Sequence, residues 1–161
     1  MTKISDFLGN EWNIDCMGWA VSNGMMLVPG GMIQRTKNFC VHQDPLIPLP
    51  GFLVIASTRH IKSISEMQEV EYKEFSILVK TTHQAIKDAT KIEHLTIIQE
   101  ESSIHFHLWF FPWIESVINR YGQPSLTKIR QIMIDYRKQA ISESEWMELE
   151  KSIEKIKTLM E

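Results

Sequence analysis

The run Ile104-His105-Phe106-His107-Leu108-Trp109-Phe110-Phe111 sets two imidazoles two positions apart among residues that favour extended backbone. Successive side chains of a strand alternate faces, so His105, His107, Trp109 and Phe111 point one way and Ile104, Phe106, Leu108 and Phe110 the other. A neutral imidazole is nucleophilic near pH 7, and a pair held on rigid backbone can act on one ligand or supply half of a metal site. Spacing alone leaves both chemistries open. Two polar residues facing water is the ordinary alternative, but Trp109 and Phe111 beside them suggest a pocket wall.

A strand that carries such a face needs partners. Met32 to Thr36 and Asn38 to Asp44 read as strands, the second alternating Phe39 and Val41 with Cys40 and His42. Asp44-Pro45-Leu46-Ile47-Pro48-Leu49-Pro50-Gly51 is a proline loop of fixed shape, followed by the apolar strand Phe52 to Ala56. Ser65 reads as the N-cap of a helix that runs to near Asp88, with Val70, Phe75, Leu78, Val79 and Ala85 on its apolar stripe. His94 to Gln99 and Ile104 to Phe111 form a hairpin across Glu100-Glu101-Ser102-Ser103. Beyond Tyr121-Gly122-Gln123-Pro124 two helices are expected, Ser125 to Ala140 and Ser142 onward, the second opened by a Ser142/Glu145 capping box. The expected organisation is therefore an α+β domain over residues 1–122, an antiparallel sheet with a long helix packed on it, and a helical extension over 123–161 packed on the same domain.

The chain has 161 residues, 43% of them hydrophobic and 23% charged, the balance of an ordinary globular domain. A formal net charge of -3 argues against a domain built to grip polymeric nucleic acid, which usually carries a basic excess, but leaves a single nucleotide open. With only Cys16 and Cys40, and no start resembling a signal peptide, a reducing cytoplasm is the expected compartment. The longest apolar run, Leu108 to Ile114, is far shorter than the roughly 20 residues of a membrane span.

His105-Phe106-His107-Leu108-Trp109-Phe110-Phe111 resembles the His-φ-His-φ-His-φ-φ signature of the histidine triad family of nucleotide hydrolases and transferases, with Trp109 at the third histidine. A second block agrees upstream and in family order: Asn38 to Asp44, Pro48, Pro50-Gly51-Phe52-Leu53-Val54-Ile55, then Arg59-His60-Ile61 and a long helix. Together the resemblance covers about Asp15 to Pro112.

The resemblance implies a histidine triad fold and hydrolysis of a nucleotidyl phosphoanhydride or phosphoramidate, such as diadenosine tetraphosphate or an adenylate conjugate. His107 matches the histidine that attacks the α-phosphorus and forms a covalent nucleotidyl-histidine. His105 matches the one that helps surround the phosphate. Asp44 matches the acceptor of the ribose hydroxyls, Gln99 an amide contacting ribose or phosphate, and Ser102 a small hydroxyl reaching the α-phosphate, a role that Ser103 could exchange with it. Trp109 would wall the phosphate site and Phe52 replaces a further histidine. Tryptophan offers one N–H and cannot act as acid or base.

No cofactor is implied, with a divalent metal allowed on the substrate phosphates and no metal site on the protein. Some relatives carry Cys-x-x-Cys for a structural zinc where this chain has Cys16-Met17-Gly18-Trp19, so a zinc site could be rebuilt only in three dimensions. His42, His60, His83 and His94 read as surface or structural. The expected partners are a purine nucleotide or dinucleotide and a second copy of the chain. Two other functions compete: a nucleotide-binding protein of the same fold whose turnover is weakened by Phe52 and Trp109, and a His-x-His metal-dependent β-barrel needing Glu100 or Glu101 as a further ligand. The long helix between strands disfavours the barrel.

Overall fold

The alternation of residues 38–57 becomes the centre of an antiparallel sheet. The computed structural model describes residues 1–161. In chain order it contains β1 (Thr2–Ser5), β2 (Glu11–Ile14), α1 (Met17–Ser22), β3 (Met32–Arg35), β4 (Phe39–Gln43) and β5 (Leu53–Ser57). These are followed by α2 (Glu69–Thr90), β6 (Leu95–Gln99), β7 (His107–Pro112), α3 (Glu115–Tyr121), α4 (Leu126–Arg137) and α5 (Glu143–Met160). The five-stranded sheet has the order β3-β4-β5-β7-β6, and β1 and β2 pair separately. An open sheet with helices on both faces is no barrel.

Period two then divides the side chains. Phe39, Val41, Leu53, Ile55, Leu108 and Phe110 pack with Phe75, Leu78, Ala85 and Ile86 of α2 and with Leu149, Ile153 and Ile156 of α5 in one core of 16 buried residues. Truncating one of these aliphatic side chains to alanine would cost roughly 2–5 kcal/mol. The C-terminal helix is thus part of the central core. Gly30 shows how closely it sits, since a Cβ there would meet Ile153 Cδ1 at 2.6 Å.

The opposite face changes along its length. Cys40, Val54 and Ala56 form a small apolar floor, partly covered by Trp109. Further along, Phe52, Phe111 and Trp113 are buried with Val117 of α3 and with Ile129 and Ile132 of α4. Phe52 meets Phe111 edge-on at 5.8 Å, so the residue that replaces a family histidine is core. α1 and residues 15–18 lie over the remaining part of this face, where the cavity described below opens.

Several sequence expectations shift. The long helix starts at Glu69 with a Gln68/Glu71 capping box, while Ser65 lies in a short 3-10 turn over Ile64–Glu66. Glu71 can close that box because Arg59 holds its carboxylate in a fork, Nε–Oε1 2.6 Å and Nη2–Oε2 2.8 Å. The hairpin is formed, but β7 begins at His107 and the connection spans residues 100–106. The Ser142/Glu145 box is present. The β1–β2 hairpin, α1 and α3 carry no strong periodicity and were not expected from the sequence.

Candidate active site

His107 is the first residue of β7, opposite Ala56, on the face away from α2. Its Nδ1 lies 2.9 Å from the His105 carbonyl oxygen. A carbonyl only accepts, so Nδ1 carries the proton and Nε2 keeps its lone pair. Ser103 steadies that acceptor: its hydroxyl donates to His105 O at 3.1 Å and accepts from His105 N at 3.1 Å. A cavity of about 170 Å³ lies over this ring, lined also by His42, Asp44, Val54, Ser103, His105 and Trp109.

Asp44 follows the last residue of β4, and its turn is built by its own carboxylate. Oδ1 accepts from Leu46 N at 2.8 Å and Ile47 N at 3.0 Å. The preceding Gln43 donates from Nε2 to Ile47 O at 3.2 Å and Leu49 O at 3.0 Å, which pins the proline loop from inside. Oδ2 has no donor in the protein. Burial pushes the Asp44 carboxyl up to about 6, against the two backbone N–H groups and the Arg137 charge, which favour ionisation.

The structure places His105 differently from the strand reading. It precedes β7 and its ring is buried, with Nε2 donating to Ser57 O at 2.6 Å and Nδ1 3.3 Å from His60 Nδ1. Both ring nitrogens are engaged. Its contribution to the cavity is therefore the carbonyl that orients His107, and burial holds its imidazole below the usual range. A Cβ at Gly18 would come within 2.5 Å of His105 Cδ2, so α1 can cross here only with glycine.

Gln99 does not reach the cavity. It pairs with Leu108 and so shares that residue's side of the sheet, facing α2 and α5, with Nε2 buried and unpartnered. Ile98, opposite Trp109, takes the position on the cavity side. Order along the chain suggested Gln99, and strand parity moved it. Ser102 lines a neighbouring groove, while Ser103 lines the cavity. Trp109 stands over His107 at 4.6 Å and 61° between rings, walling the cavity on one side.

His42 is the residue missed by sequence reasoning. It is 3% exposed, donates from Nδ1 to Gln43 O at 2.8 Å, and lines the cavity. Burial drives its imidazole down to about 4, so it is neutral beside His107 at pH 7. The signal was available: His42 shares strand parity with Asp44.

His60, expected to be a surface or structural histidine, stands in a cluster with two other possible metal ligands. The side-chain donors of Cys16, His60 and His105 lie within 4.8 Å of one another. The 3.3 Å between the two Nδ1 atoms matches the separation of two nitrogens bound at about 2.0–2.1 Å on a tetrahedral ion. These three would hold a zinc ion and tie α1 to the turns before α2 and β7. The fourth corner has no protein donor, because Trp19 lies parallel to His60 at 6.2 Å and an indole has no lone pair to give.

No protein-family model and no curated protein sequence matches the chain. Solved structures do. A histidine triad nucleotide-binding protein from Sulfolobus tokodaii superposes with TM-score 0.63 at 19% identity, covering 89% of this chain and 93% of its own. A Hit-like protein involved in cell-cycle regulation from Bartonella henselae gives 0.61 at 13% identity, covering 92% and 98%. A zinc-bound histidine triad family protein from Mycobacterium smegmatis gives 0.61 at 12% identity, covering 89% and 96%. TM-scores above 0.6 over about nine-tenths or more of each chain show that this protein has the histidine triad fold.

Proposed function

We propose that the protein is a nucleotidyl hydrolase or transferase acting through His107. The observation that carries this reading is the His107 Nδ1 to His105 carbonyl contact of 2.9 Å, which presents an unprotonated Nε2 to a walled cavity. Nε2 attacks the α-phosphorus of a bound nucleotide. The N–P bond forms while the bond from phosphorus to the leaving oxygen or nitrogen breaks, and its electron pair departs with that group. Positive charge built on the ring is met by the His105 carbonyl. Water then attacks phosphorus, the N–P electron pair returns to Nε2, and the proton water sheds passes to solvent, which leaves neutral His107 and a released nucleoside monophosphate.

Asp44 would accept from the ribose hydroxyls through Oδ2, and Ser103 and Trp109 would border the phosphate. The step uses this chain's own groups and no cofactor. The substrate class is a dinucleoside polyphosphate or an adenylate conjugate. A binding protein without efficient turnover is the second reading, favoured by Trp109, which cannot protonate a departing group.

His107→Ala should abolish hydrolysis of labelled diadenosine tetraphosphate while keeping AMP affinity within about tenfold, since binding is spread over other groups. Acid-labile label on the wild-type protein in a single turnover identifies the covalent intermediate. Comparable turnover by His107→Ala would refute the assignment.

A further inference from the structure

Asp44, the residue after β4, lies to one side of the histidine strand and β6 to the other. On the β6 side, beneath α4, lies a groove of about 720 Å³ lined by Ile98, Ser102, Leu126 and Arg130 among others. Trp109 lines both this groove and the histidine cavity, so one indole separates the two. The cavity, at about 170 Å³, is below the roughly 300–1,000 Å³ of sites that enclose a whole small ligand. It has room for the reacting phosphate and its ribose, not for both halves of a dinucleotide.

The charged groups of the groove are Arg130, Arg137 and Glu100, a net positive set. Neither arginine makes an ion pair in the protein. Guanidinium groups without a carboxylate partner suit bidentate contact with phosphate oxygens. Beside them Leu126 is 71% exposed, an apolar surface on which a flat ring can lie. A ligand that is anionic along one stretch and flat and apolar at its end meets both features.

Resting on the nucleotidyl-transfer reading above, we propose that this groove is the leaving-group subsite and that it takes a nucleoside polyphosphate, its phosphates on Arg130 and Arg137. The nucleoside that stays on His107 lies toward Asp44, and the half that departs crosses Trp109 toward β6. The helical extension therefore selects the leaving group. Arg137 also favours the ionised form of Asp44, so Arg130 carries the test.

The measurement is calorimetric binding of AMP and of a diadenosine tetraphosphate analogue with methylene bridges at the α,β positions, which resists cleavage. Wild type should bind the analogue at least tenfold more tightly than AMP. Arg130→Gln should reduce that ratio about tenfold, Arg130→Glu should reduce it further, and Arg130→Lys should restore most of it. All three substitutions fall at one exposed helix position, where folding is little affected.

An unchanged ratio in Arg130→Gln and Arg130→Glu overturns the proposal. Equal losses for both ligands overturn it too, by placing the retained nucleoside in the groove. Self-association abolished by Arg130→Glu with the ratio unmoved would assign the groove to a second copy. Wild-type binding without turnover of diadenosine tetraphosphate defeats the hydrolase reading alone, and the ratio still decides the subsite.

Discussion

Asp44→Asn separates what the site needs from what the fold prefers. The Asp44 carboxyl rises from its ordinary 3.8 to about 6 because burial disfavours its charged form. A folded-state value above the unfolded one means that the ionised group works against folding, by an amount that grows as pH rises from about 4 to 6. At pH 7.5 the opposition is about 3 kcal/mol, taking 1.36 kcal/mol per pKa unit, and at pH 5 it is about half of that. Asparagine keeps an oxygen for Leu46 N and Ile47 N and carries no charge.

The variant should therefore be more stable than wild type in urea titrations, by up to about 3 kcal/mol at pH 7.5 and by about half of that at pH 5. His42 provides an internal check. Its folded-state value of about 4 contributes stability that is present at neutral pH and lost as pH falls from about 6.5 to 4, the opposite sense to Asp44. The two nearly cancel in wild type, so Asp44→Asn should expose an acid-side loss that wild type hides. His105 and His83, also held low by burial, add to that loss. AMP affinity should fall about tenfold, because a charged acceptor is replaced by a neutral one. A variant destabilised equally at both pH values would refute the reasoning, since desolvation of the charge would then not govern this site.

Trp109→His should speed cleavage of an adenylate with a simple amine leaving group far more than one with an activated leaving group, because only the former needs a proton; equal rates in both proteins would remove any limiting role for tryptophan. Chelation should leave the fold intact and lower Tm by only a few degrees, because His105 is held by Ser57 and His60 without a metal and the main core is independent of it; a fall beyond about 10 °C would mean that zinc completes the fold. Sedimentation should give twice the chain mass, since β6 leaves a sheet edge free and α2 exposes Tyr72 and Ile77; a monomer at micromolar concentration would count against pairing.

Alternation and turn chemistry made most of the sheet legible, because they act over a few residues. Period two alone separates Phe39 and Val41 from Cys40 and His42, and Leu108 and Phe110 from His107 and Trp109, and the structure buries the first pair of each in the main core; the proline loop and the Ser142/Glu145 box follow from local residue types. Asp44 and His107 were singled out by their match to the family's motifs, and the structure brings both to the lining of one cavity. Tertiary structure decided what depends on register between strands. A single-residue parity difference sends Gln99 to the face that carries α2 and α5 and Ile98 to the opposite face, where it lines the groove beside the cavity. His105 left the strand because its ring is claimed by Ser57 and His60, residues 48 and 45 positions away in the chain. Cys16, His60 and His105 converge through the packing of α1 against two loops, and Arg130 comes to face Trp109 only because α3 and α4 fold back over Phe52 and Phe111. Such long-range juxtapositions leave no periodic trace in one sequence, since the free energy that makes them is spread over the whole core.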